Sequence, residues 1–140
     1  DVVFAAGWPL TMVGLDVTMK TVMTADFLAS LRASKIGQFI FDIVQFYLEF
    51  HRQSYPELGG IHTHDPSAIA YLINPGLFST VAAPVRVATD GLLLGQTQPD
   101  WRQNWHTPNP WTTVSPANIC VDVDSAGLRA LYHQRITAGG

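Results

Sequence analysis

"PLTMVGLDVT", residues 9–18, is the stretch on which the fold turns. Leu10, Met12, Val13, Leu15 and Val17 make it mostly apolar without clean alternation, a pattern that suits a strand covered on both faces. Strands of that kind belong to parallel sheets flanked by helices, so an α/β class is expected. Upstream, "DVVFAAG" (1–7) reads as the tail of a helix, with Gly7 just past its last turn and Pro9 barring continuation. Downstream, "TADFLASLRAS" (24–34) opens a short helix with Thr24 or Asp26 available as its cap.

Helices and strands continue to alternate. Ile36, Phe39, Ile40, Ile43, Val44, Tyr47 and Leu48 fall at i, i+3, i+4, i+7, i+8, i+11 and i+12, one continuous stripe of a long helix. Phe41, Phe46 and Phe50 lie off that stripe, so the helix is apolar on more than one side and calls for two partners. After the loop "QSYPELGG" (53–60), a helix is expected over 66–73, stopped by "NPG" at 74–76. "VRVATDGLLLGQT" (85–97) predicts a hairpin around Asp90-Gly91. "ANICVDVD" (117–124) reads as a strand and "SAGLRALYHQRI" (125–136) as a last helix capped by Asp124 or Ser125.

Composition narrows the function classes. The chain has 140 residues, enough for one domain with a real core, yet only 14% are charged and 47% are apolar. An average soluble domain carries about 25% charge, so part of the apolar surface should be covered by more protein. No run of about 18 apolar residues spans a membrane. A net charge of -3 and eight scattered Lys and Arg argue against nucleic acid. The single Cys120 rules out an internal disulfide framework and a cysteine-based zinc cage. A cytoplasmic setting is therefore the expectation.

Chemistry concentrates in "GGIHTHDPSAIAYLINP" (59–75), which holds two of the five histidines. In an extended conformation His62 and His64 point the same way, as a zinc-binding H-x-H pair does, but no further His or Cys stands at ligand spacing. His62 otherwise reads as an ordinary loop residue. Asp65 before Pro66 reads as a helix N-cap, with Pro66 at N1, and the helix terminus favours its ionised form over a protonated His64. Asp16 sits near the end of the expected buried strand, where a structural role is the plain reading. Asp122 and Asp124 alternate like a metal pair, although strand-edge polarity and helix capping account for both. Trp101, Trp105 and Trp111 either form a stacking platform or pack a surface loop.

Taken in order, "PLTMVGLDVT" (9–18), "HDPSAIAYLINPGLF" (64–78), "VRVATDGLLLGQTQPDW" (85–101) and "CVDVDSAGL" (120–128) resemble the C-terminal half of the inosine-uridine preferring nucleoside hydrolases. The resemblance implies an open, largely parallel α/β sheet with flanking helices and a β-hairpin, carrying its active site at the strand ends. It implies cleavage of the N-glycosidic bond of ribonucleosides in nucleoside salvage, with a bound calcium ion. Asp65 would be one calcium ligand and His64 would face the nucleobase as acid or hydrogen-bond donor. Tyr55 or Tyr47 would correspond to a base-contacting aromatic, although Tyr47 also reads as a packing residue on the helix stripe.

The departure matters as much. The family's D-T-D-x-x-x-D-D motif, which supplies the base and most calcium ligands, is absent, as is its ribose-gripping Asn segment. The expectation is the C-terminal part (1–140) of one hydrolase domain, inactive alone, which forms homo-oligomers or associates with its missing N-terminal part. Two rivals stand beside it: a non-catalytic self-association module, and a zinc hydrolase built on His62 and His64.

Overall fold

The computed structural model describes residues 1–102 and 108–138, so Trp105 lies outside the described residues. Along the chain the first elements are α1 (Val2–Ala5), β1 (Thr11–Met12), α2 (Leu15–Thr18), β2 (Val22–Thr24), α3 (Ala25–Ser30) and α4 (Lys35–Ser54). There follow β3 (Gly60–His62), α5 (His64–Ile73), β4 (Phe78–Ala83), β5 (Val85–Val87), β6 (Thr97–Pro99), β7 (Ala117–Val123) and α6 (Ser125–Thr137). They gather into two compact units, residues 1–14 with 80–121, and residues 15–79 with the segment from Asp122 on.

The first unit is built on a three-stranded sheet in the order β1-β7-β4. β1 and β7 run parallel, with Thr11 opposite Asn118 and Met12 opposite Ile119, so the parallel α/β class read from the sequence holds. Ala83, Val85, Ala117 and Ile119 form its core, with Phe4, Leu10 and Met12 packed against them. Gly7 follows α1 at φ 74°, the left-handed stop its position predicts. β5 and β6 pair antiparallel, Val85 opposite Pro99 and Val87 opposite Thr97. The hairpin is real but longer than the sequence suggests: Leu92, Leu93 and Leu94 lie exposed in the connection rather than in the second strand.

The expected long strand at 9–18 is corrected. Only Thr11 and Met12 are extended, and Leu15–Thr18 turns into α2, which buries Val17 and Thr18 and leaves Leu15 exposed. A short apolar run does not distinguish strand from helix by periodicity, and here the chain uses it for both.

The second unit packs α3, α4 and α6 around Met23, Leu28, Leu31, Leu48 and Ile61. Thr24 caps α3 by accepting from Phe27 N, and Ser34 caps α4 by accepting from Gly37 N. The buried face of α4 is Gly37, Leu48 and His51 with Ile40, Phe41 and Val44, the Phe41 ring lying under the Arg32 guanidinium. The apolar stripe read from spacing is therefore split: Ile36, Phe39, Ile43 and Tyr47 are exposed together with Phe46 and Phe50. That is the two-sided helix the sequence calls for, with one side bare in this chain. Asp124 caps α6 through Ala126 N and Gly127 N, as predicted.

Candidate functional site

Within the second unit, β2 and β3 form an antiparallel pair that sets Val22 opposite His62 and Thr24 opposite Gly60. A Cβ on Gly60 would collide with the Met23 carbonyl, so glycine is what lets the two strands meet there. β3 ends at His62, Thr63 turns the chain, and His64 is the first residue of α5. The C-terminal turns of α4 bring Tyr47 and His51 to the same place, and Tyr55 closes that helix as its C-cap. Together with Leu15 and Met19 these residues line a cleft of about 410 Å³.

Three imidazoles meet in it. The ring centroids of His62 and His64 are 5.7 Å apart and those of His51 and His62 6.4 Å. Tyr47 stands edge-on to His51 at 4.2 Å, and Tyr55 lies 5.7 Å from the same ring. His51 is buried, with Nδ1 3.0 Å from the Tyr47 carbonyl. His62 is half-buried, with Nδ1 3.2 Å from the Thr21 carbonyl. His64 Nδ1 lies 2.7 Å from the hydroxyl of Thr18, itself buried at the end of α2. Burial holds His64 below the usual imidazole range, His62 and His51 add to the lowering, and Asp65 opposes them. The cleft thus offers aromatic walls for a flat ring and a neutral imidazole at one end.

Several sequence readings change. His62 is not a loop residue but the end of β3, anchored to Thr21. Asp65 is not the N-cap: Thr63 occupies that position without a side-chain cap bond, and Asp65 lies exposed in the first turn of α5. Consecutive helical residues diverge by about 100°, so Asp65 turns away from His64. It borders a different groove of about 480 Å³, shared with Ile69, Ile73, Tyr132 and Arg135. Asp16 stands in the first turn of α2, exposed, rather than in a strand. Asp122 pairs with Lys20 at 2.8 Å, and Asp124 is the cap of α6, which accounts for the acidic alternation. Trp101 is half-exposed, while the Trp111 indole donates to the Gln98 carbonyl at 3.1 Å and so ties a loop to the hairpin.

His51 is the residue the sequence reading misses. The signal was available: 47, 51 and 55 are spaced four apart, and four residues is the step that stacks side chains on one helix face. Tyr47, read from the sequence as a packing residue first and a base-contacting aromatic second, belongs to that face and lines the cleft.

Neither metal fits the residues of this chain alone. Calcium takes six to eight oxygen ligands, and Asp65 offers one carboxylate beside an apolar groove. Zinc needs at least three protein ligands, and no three His, Cys, Asp or Glu gather suitably among the described residues. No helix among the described residues is long and apolar enough to cross a membrane.

Comparison with known proteins sets this site in a family. Residues 1–130 match the family model described as inosine-uridine preferring nucleoside hydrolase. A probable uridine nucleosidase 1 of Oryza sativa subsp. japonica is 33% identical over 99% of this chain and 43% of its own length. Among solved structures, the plant nucleoside hydrolase PpNRh1 superimposes with a TM-score of 0.92 at 29% identity, over 99% of this chain and 44% of that one. A purine-preferring ribonucleoside hydrolase from Gardnerella vaginalis gives a TM-score of 0.83 at 33% identity, over 99% of this chain and 42% of that one. The chain spans less than half the length of these relatives, whose named preferences differ. With a match running through β1, the histidine cleft and into α6, the chain belongs to the inosine-uridine preferring nucleoside hydrolase family.

Proposed function

We propose that the chain is the C-terminal part of a calcium-dependent ribonucleoside hydrolase that releases ribose and a free base in nucleoside salvage, in the cytoplasm. The observation that carries the reading is the cleft in which His64 meets His51, His62, Tyr47 and Tyr55, in a chain of this family. In the hydrolysis, a water oxygen bonds to C1′ while the C1′–N bond breaks and its electron pair passes to the base. The water gives up its proton to a general base, and the leaving base gains one. His64 stands in this reading as the group that donates at the leaving nitrogen, and Tyr55 as a contact to the base plane. The general base is assigned to residues outside this chain, as are all but one of the calcium ligands. Asp65 supplies the remaining one, and the 140 residues alone are inactive.

The test is an assay of the full-length protein on a panel of purine and pyrimidine nucleosides, with and without chelator. Hydrolysis lost to chelator and restored by calcium supports the reading. Failure to cleave any nucleoside overturns it, and restoration by zinc instead of calcium would move the assignment to His62 and His64.

One observation favours a second reading, a self-association module. α4 exposes Ile36, Phe39, Ile43 and Phe46 in a row, with Phe46 86% exposed. Such a face needs a cover, from a second copy or from the rest of the protein. A cooperative monomer in sedimentation at high concentration would count against both.

A further inference from the structure

The three clustered histidines are held by different partners, and the difference decides which ring nitrogen carries hydrogen. A carbonyl oxygen only accepts. His51 Nδ1, 3.0 Å from the Tyr47 carbonyl, and His62 Nδ1, 3.2 Å from the Thr21 carbonyl, must therefore each be N–H donors. In the neutral ring this leaves Nε2 of both as a bare acceptor.

His64 has no such carbonyl. Its Nδ1 faces the Thr18 hydroxyl, which has one hydrogen and two places to send it: His64 Nδ1 at 2.7 Å or the Leu15 carbonyl at 3.4 Å. The shorter contact lies where O–H donors are commonest and at the short limit for N–H donors, while the longer one is near the edge of bonding. The hydroxyl hydrogen thus belongs on the bond to His64. An Nδ1 that accepts leaves the neutral ring's hydrogen on Nε2, which has no protein partner among the described residues.

We infer that Thr18 is a positioning residue that fixes His64 as the one Nε2–H donor of the cleft, against two neighbours fixed by backbone carbonyls as Nε2 acceptors. Burial suits that role, because Thr18 is 3% exposed and water does not compete for its hydroxyl. With each ring in its neutral form, the arrangement gives the cleft a defined polarity, one Nε2 donor and two Nε2 acceptors. Under the hydrolase reading, on which this consequence rests, the donor is aimed at the leaving nitrogen before reaction begins.

The experiment is nitrogen-15 NMR of histidine-labelled full-length protein, which reports the hydrogen-bearing nitrogen of each ring without any need for turnover. The expected pattern is Nε2–H for His64 and Nδ1–H for His51 and His62. Thr18→Val keeps the side-chain shape and removes the hydroxyl; it should convert His64 to Nδ1–H or to a mixture and leave the other two unchanged. Thr18→Ser should restore the native pattern. In the nucleoside assay, Thr18→Val should lower kcat by about tenfold or more with KM nearly unchanged, and Thr18→Ser should recover most of it. A wild-type His64 found as Nδ1–H overturns the inference even if the valine variant fails to fold. So does a His64 pattern unmoved in a folded Thr18→Val. A protein that hydrolyses no nucleoside but shows the expected NMR pattern sinks the functional reading and leaves the Thr18 assignment standing.

Discussion

His64 and Asp65 are adjacent in sequence and open onto different surroundings. His64, bonded to Thr18 of α2, enters a cleft with His51 of α4 and His62 of β3, each of the three rings held by a hydrogen bond. Asp65 is exposed beside a groove walled mainly by Pro66, Ile69, Ile73 and Leu131, with Tyr132 and Arg135. On the proposed function, this part of the fold carries one half of the site as an assembled cluster and the other as a single group. In the proposed function the cleft is the half that handles the base, and its residues come from neighbouring elements of one unit. The proposed calcium site differs, because calcium draws oxygens from many directions and Asp65 would be this chain's one contribution.

The largest effect should therefore appear when the chain is tested alone. Purified as 140 residues, it should turn over neither inosine nor uridine and should bind calcium weakly or not at all in calorimetry. Enzyme-like hydrolysis by the isolated chain would mean that no residue outside it is needed, and the contrast would collapse.

Next comes the cleft side of the pair. In the full-length protein, His64→Ala should slow the chemical step by about 10² to 10⁴, the range for a positioned acid, while calcium binding stays near normal. The loss should shrink on a nitrophenyl riboside, whose leaving group needs less help. His62→Ala should cost less, because what it removes is a bond to a backbone carbonyl and one neighbour of His64. Equal loss of metal binding in both variants, with zinc restoring activity, would turn the cleft into a metal site.

A third prediction probes what brings the cleft together. At Gly60 any side chain meets the Met23 carbonyl, so Gly60→Ala must push β3 away from β2. Overpacking of this kind costs about 1–3 kcal/mol, to be read from a denaturant midpoint. Because β3 ends at His62 and leads into His64, activity should fall by more than stability alone explains. A neutral Gly60→Ala would show the strand pair to be slack.

How much of this could be read from the residues differs between fold and site for a physical reason. Caps are local, and Thr24, Gly7 and Asp124 do what their neighbours in sequence dictate. Burial is not local. Spacing along α4 marks every apolar position, but which side is covered depends on α3, α6 and β3 packing against Leu48 rather than Phe39, and no periodicity states that. The same limit hid His51, a residue of a long helix whose place in the cluster depends on β3 setting His62 beside it. It also misplaced Asp65. An aspartate before proline has the chemistry of a cap, yet the helix begins two residues before Pro66, at His64, with Thr63 at the cap position.

The smallest effect follows from that two-residue shift and separates two aspartates that the sequence makes look alike. Asp124 accepts from two backbone amides at the start of α6, 3.1 Å from Ala126 N and 2.9 Å from Gly127 N. Asp124→Ala should cost about 1 kcal/mol, the usual loss for a capping carboxylate. Asp65 makes no cap bond, so Asp65→Ala forfeits only the attraction between an exposed carboxylate and the amides of its own first turn, an effect weakened by solvent and salt. Its denaturant midpoint should move distinctly less than that of Asp124→Ala. Calcium affinity in the full-length protein should order the same two variants the other way round, Asp65→Ala losing it and Asp124→Ala keeping it. If Asp65→Ala proves the more destabilising of the two in calcium-free buffer, then Asp65 is the cap that Pro66 advertises and α5 begins where the sequence pattern puts it.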